Sequence, residues 1–166
     1  MGKRRVAKAM KVLDKLYKAW PDDGKLCWLY SNYCEELDQY DPQAGFYPEG
    51  QAQKVYKQYA DDKRVKIKPI KRESLMIGFL MTMGTDSGKS LIILEAYIIP
   101  KYRRQGYMRK AMEEEIKPGI TCIGFMVFDT NPAIQFWEKM MEEFNFTKVH
   151  EGRVARGITE YAYLQR

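Results

Sequence analysis

"EAYIIPKYRRQGYMRKAMEEEI", Glu95 to Ile116, passes from an apolar, β-branched run through a basic turn holding one glycine and into a helix-forming sequence. A strand that feeds a turn at the N-terminus of a helix makes an anion site, because the first helical N–H groups lack partners and the helix dipole is positive there. Gly106 lets the backbone approach a phosphate with no side chain in the way, and Arg103 and Arg104 add charge. The segment therefore predicts a ligand that carries phosphates. Alone, an arginine three residues before a glycine is a weak signal, since basic turns are commonly solvated loops.

The flanks supply context. Upstream, "SLMIGFLMTMG" (74–84) and "SLIILEAYIIP" (90–100) are apolar strands joined by "TDSGK", a hairpin. "RVKIKPIKRE" (64–73) alternates Val65, Ile67 and Pro69 against lysines, as an edge strand with one face in water does. Downstream, "KPG" stops the helix, "ITCIGFMVFD" (120–129) predicts a strand, and Thr130, Asn131 and Pro132 cap a further helix. "FTKVHEG" and "ITEYAYLQR" predict two closing strands. Towards the N-terminus, Val6, Met10, Leu13, Tyr17 and Trp20 recur at helical spacing over about residues 4–19, and Leu26, Leu29, Tyr30, Tyr33, Cys34 and Leu37 give a second helical face. Between them and the strands lies the turn-rich "DQYDPQAGFYPEGQ", whose Phe46 and Tyr47 are candidate substrate contacts, and "AQKVYKQYADD", whose form stays open. "GTDSGKS" imitates a phosphate-binding P-loop, but it has three residues between its glycines instead of four and joins two strands, where a P-loop opens a helix.

Bulk properties narrow the class. A chain of 166 residues predicts one domain, 1–166, with a proper core. No apolar run reaches the ~18 residues of a membrane span, and the basic amphipathic start differs from a signal peptide, so a cytoplasmic, soluble protein without membrane attachment is expected. "MGKRRV" puts Val6 where myristoylation wants Ser or Thr. Cys27, Cys34 and Cys122 form no CxxC and suit a reducing compartment, and one histidine argues against a metal site. The net charge of +6 suits an anionic partner: a nucleotide-type cofactor, nucleic acid or an acidic protein.

The segment "IIPKYRRQGYMRKAM" resembles the acyl-CoA-binding motif of the GNAT acetyltransferase superfamily, V-x-P-x-[YF]-[RQ]-x-x-G-x-[GA]-x-x-L/M. Ile98, Pro100, Tyr102, Arg103, Gly106 and Met112 take its defining places, whereas Met108 stands where the family has a small residue. "NPAIQFWEKMMEEFNF" is similar to the family's second signature through Ala133, Phe136 and Phe146, with Asn131 one residue closer to Ala133 than usual. The resemblance covers residues 65 to 150. It implies an α+β fold with a mixed, mostly antiparallel sheet flanked by helices, and acetyl-CoA as co-substrate without a metal. It further implies that strands 91–99 and 120–128 splay apart to admit the pantetheine arm. The cofactor contacts it implies are Ile98, Ile99, Pro100, the turn Arg103, Arg104, Gln105, Gly106, Tyr107, Met108 and Arg109, and Asn131 and Trp137 from the second signature. The Ile98 N–H would stabilise the thioester oxyanion, a term worth ~3 kcal/mol.

Transfer to an amine needs a base, because an alkylammonium with pKa ~10 is almost fully protonated at neutral pH. Glu95 is the acid within its strand, and apolar neighbours should raise its pKa. It is either that base or a structural partner of the first helices. Trp137 occupies the place of the family's thiolate-protonating tyrosine, which leaves Tyr97, Tyr161 or unassisted departure. Cys122 and His150 read as packing or surface residues. The expected activity is acetyl-CoA-dependent N-acetyl transfer to a primary amine. The rivals are a binding protein that has lost transfer and an acetyltransferase acting on aminoacyl-tRNA; the acceptor and a homodimer stay open.

Overall fold

A computed structural model describes residue 17 and residues 19–41 and 50–166 of the chain. The expected first helix and the loop residues Phe46 and Tyr47 fall largely outside these. Tyr17 is described, and its hydroxyl donates to the Met76 carbonyl at 2.9 Å.

Two helices open the described chain, α1 (Asp22–Asp38) and α2 (Gln51–Asp61). Leu29, Tyr30, Cys34 and Leu37 of α1 are buried, as their spacing predicts. The segment of open form proves to be α2. Its single buried residue, Tyr56, sits among glutamines and lysines that are good helix formers.

Six strands follow: β1 (Val65–Arg72), β2 (Leu75–Gly84), β3 (Ser90–Ile98), β4 (Cys122–Phe128), β5 (Phe146–Ala155) and β6 (Ile158–Gln165). They form one sheet in the order β1-β2-β3-β4-β6-β5, with β3–β4 as its parallel pair and every other neighbour antiparallel. A 3-10 turn (Pro100–Tyr102) and α3 (Tyr107–Glu115) lie between β3 and β4, and α4 (Ala133–Glu143) lies between β4 and β5. The architecture is the expected α+β one. Among the described residues no helix is long and apolar enough to cross a membrane.

The sheet separates two cores. On one face Tyr30, Tyr56, Phe79, Met81 and Tyr97 pack with α1 and α2. On the other, Ile77, Leu80, Ile98, Met112, Ile123 and Met141 pack with α3 and α4. β1 is the edge strand that its lysines suggested, but those lysines do not simply face water. Lys66 and Lys68 reach the buried Glu115 at 2.7 and 3.3 Å, and Lys68 also pairs with Glu114, so the C-terminal turn of α3 is pinned to the sheet.

Two irregularities shape the centre. Met81 pairs with Glu95 while Thr82 pairs with Ile93, which leaves Leu94 as an extra residue, a β-bulge. The β3–β4 pairing then runs only from Ser90/Cys122 to Ile92/Gly124. Beyond that point the two strands part.

Candidate active site

The parting strands lie between two clefts. The larger, of about 640 Å³, runs from Ala96, Tyr97 and Ile98 past the turn at Arg103–Gly106 to α4. The smaller, of about 340 Å³, is bounded by β3 from Ile93 to Ala96, β4 from Phe125 to Phe128 and the β5–β6 hairpin. Tyr33, Leu37, Ala96, Asn131, Ala133 and Trp137 line both, so the two clefts adjoin at the splay.

The larger cleft contains the turn and the start of α3. Gly106 caps α3 in the left-handed region at φ +82°, and no side chain caps the helix. Lys110 N–H is the first to bond back, to the Gly106 carbonyl at 3.0 Å. The preceding amides are therefore open to a ligand oxygen. Arg104 is also left-handed, at φ +60°, a conformation that costs a non-glycine residue about 1 kcal/mol. Alternating backbone conformations of this kind turn successive N–H groups towards one side and favour anions. Arg104, Arg109 and Lys139 contribute side chains to the lining. Met108, the residue that departs from the motif, buries its side chain in the core beneath α3.

Arg103 is engaged within the protein. Its guanidinium makes two bonds to Glu36 of α1, at 2.8 and 2.6 Å, donates through Nε to the Ile98 carbonyl at 2.8 Å, and lies 5.4 Å from the centre of the Tyr97 ring. Arg109 is likewise engaged, with Glu143 at 2.8 Å. Gln105 turns back to the Lys101 carbonyl at 3.3 Å. Ile99 and Pro100 enter the 3-10 turn, and Tyr107 begins α3 at the cleft wall.

The backbone of β3 points one N–H into the splay. Ile99 N–H bonds to the Ile77 carbonyl at 2.8 Å, towards β2, so by strand alternation the Ile98 N–H is directed away from β2 and towards β4. Gly78 fixes this geometry. A Cβ there would collide with the Tyr97 carbonyl oxygen and crowd Ile98, so only glycine lets β2 press this closely on the end of β3.

Glu95 borders the smaller cleft and also meets the first helices. It accepts hydrogen bonds from Tyr33 of α1 at 2.5 Å and from Tyr59 of α2 at 3.2 Å. Burial pushes its pKa up to about 7, although both tyrosine bonds pull the other way. A carboxyl that changes charge near neutrality, at the edge of a cleft, can hold or release a proton under ordinary conditions. Tyr97 lines the larger cleft, and its pKa is raised by burial and then by Glu36. Tyr161 instead stacks on Phe125 in the core, with ring centres 5.6 Å apart. Asn131 accepts from the Ala133 N–H at 3.0 Å and so starts α4, and Trp137 packs against Phe125 at 5.6 Å. Cys122 sits at the paired end of β3 and β4, remote from the splay, and the His150 side chain is exposed beside Glu160.

Sequence reasoning missed Glu36, Tyr33, Tyr59 and Gly78. Of these only Gly78 carried a signal, a lone glycine inside an apolar strand, which marks a close backbone approach.

No protein-family model matches the sequence, and no curated protein matches it either. Solved structures do match in fold. An acetyltransferase from Thermus thermophilus superposes with a TM-score of 0.63 at 16% identity, over 86% of this chain and 91% of that one. A GNAT-family acetyltransferase from Bacillus anthracis gives 0.59 at 16%, over 86% and 87%. The microcin C7 self-immunity acetyltransferase, solved with acetyl-CoA and AMP, gives 0.62 at 13%, over 85% and 84%. The chain thus has the GNAT acyl-CoA N-acyltransferase fold.

Proposed function

We propose that the chain is an N-acetyltransferase that moves the acetyl group of acetyl-CoA directly to a primary amine. The observation that carries this is the meeting of two clefts at one splayed strand pair, an uncapped helix N-terminus on one side and a titrating carboxyl on the other. The residues fit the co-substrate. The amides from Arg104 to Met108 would take the pyrophosphate, Gly106 leaves the approach clear, and the larger cleft continues to the end of β3. The likeness to an acetyltransferase solved with acetyl-CoA supports the same ligand.

In this reading Glu95, itself or through water, takes a proton from the ammonium. The amine attacks the thioester carbon while the Ile98 N–H holds the oxyanion, and the carbon–sulfur bond breaks. Tyr97, which lines the larger cleft, would give a proton to the leaving thiolate and regain one from the nitrogen of the collapsing adduct. Cys122 has no part, so no acyl-enzyme forms.

Steady-state thiol release tests this scheme. Glu95→Gln should leave acetyl-CoA affinity almost unchanged and lower turnover by ~10²-fold below pH 8, with partial recovery at higher pH as free amine accumulates. Cys122→Ala should change little. Full turnover by Glu95→Gln would place the base elsewhere, and loss of turnover in a folded Cys122→Ala would overturn direct transfer.

A further inference from the structure

The described lining of the smaller cleft carries very little charge. Leu37, Phe125, Met126, Phe128, Val154 and Ile158 make up much of its wall, and among the described lining residues Glu95 is the one of the Asp, Glu, His, Lys and Arg types. Two of the polar groups there are already engaged. The Tyr33 hydroxyl donates to Glu95, and the Asn131 side-chain oxygen accepts from Ala133. The apolar character persists where the wall meets solvent, since Met126 is 63% exposed and Val154 is 49% exposed.

A single carboxylate in an apolar cleft balances a single ammonium. A second ammonium on the same acceptor would find no described lining residue to pair with, and lying against apolar walls it would lose part of its hydration. A hydrocarbon body gains from the same walls. We infer that the smaller cleft takes a primary monoamine with an aliphatic or aromatic body and rejects acceptors that bring a second positive charge. This assignment rests on the acetyl-transfer reading above and narrows its acceptor.

The discriminating pair is n-hexylamine and 1,6-diaminohexane, which share length and differ in one terminal ammonium. With saturating acetyl-CoA, kcat/KM for hexylamine should exceed that for the diamine by about 30-fold or more, within the range that an apolar pocket gives. Val154→Asp, a change at a half-exposed wall position, should narrow the ratio by about tenfold by giving the second ammonium a partner. Equal or better use of the diamine by the wild type, or an unchanged ratio in Val154→Asp, would overturn the acceptor assignment and leave acetyl transfer standing. No turnover with either amine would likewise overturn the acceptor assignment, whereas failure of the protein to bind acetyl-CoA would overturn the acetyl-transfer reading as well.

Discussion

Glu36 and Arg103, 67 residues apart in sequence, are joined by two hydrogen bonds in the wall of the larger cleft. Because Arg103 also donates to the Ile98 carbonyl and lies on the Tyr97 ring, the pair fastens α1 to the end of β3. The motif arginine is thus a brace for the strand that carries the candidate oxyanion amide.

This brace should be measurable as a coupling. Both side chains are partly exposed, so a double-mutant cycle of Glu36→Ala and Arg103→Met should give about 1 kcal/mol in chemical denaturation, as a bidentate but solvent-screened pair does. Glu36→Ala should lower kcat several-fold more than it changes acetyl-CoA affinity. Additive denaturation energies would mean that the two residues do not act as a unit.

Gly78 makes a second mechanical prediction. Gly78→Ala inserts a methyl group against the Tyr97 carbonyl, so β2 must retreat from β3, at a cost of about 1–3 kcal/mol. The same retreat displaces Ile98, and turnover should fall further than the loss of folded protein explains. Thermal unfolding and thiol release on one preparation check both; an unaltered melting temperature would contradict the close approach.

Glu95 should leave a mark on stability as well as on catalysis. Its folded pKa is raised from 4.5 to about 7, so between those values the folded state holds a proton that the unfolded chain releases. Stability therefore falls as pH rises from about 4.5 to 7, by an amount on the order of 3 kcal/mol, and the full penalty remains above 7. Glu95→Gln removes this dependence. Relative to wild type, its unfolding free energy should increase from pH 4 to pH 8, and denaturant curves at the two pH values read the difference. A constant difference would show that Glu95 titrates normally.

Much of this molecule was legible in its sequence. The hairpin, the turn into α3 and the two closing strands follow from apolar alternation and from Gly, Pro and Asn punctuation, which act over a few residues. The direction of Glu95 was not legible, because the bulge at Leu94 shifts the phase of β3. Leu91 and Ile93 face the α3–α4 core, and so do Ala96 and Ile98 after the extra residue, leaving Glu95 towards the tyrosines of α1 and α2. No spacing rule reveals a bulge whose extra residue is another leucine. The role of Arg103 was hidden for a different reason, since its choice between a phosphate and Glu36 depends on how α1 packs.

The most direct measurement is a calorimetric titration of acetyl-CoA into the wild type and Gly106→Glu. Gly106 faces open space at φ +82°, so a glutamate there strains the turn and puts bulk and negative charge where the pyrophosphate would lie, while leaving the core untouched. The account predicts saturable binding by the wild type and a loss of ~10²-fold or more in affinity in a variant whose circular dichroism is unchanged. Failure of the wild type to bind acetyl-CoA, or equal binding by the two proteins, would contradict it.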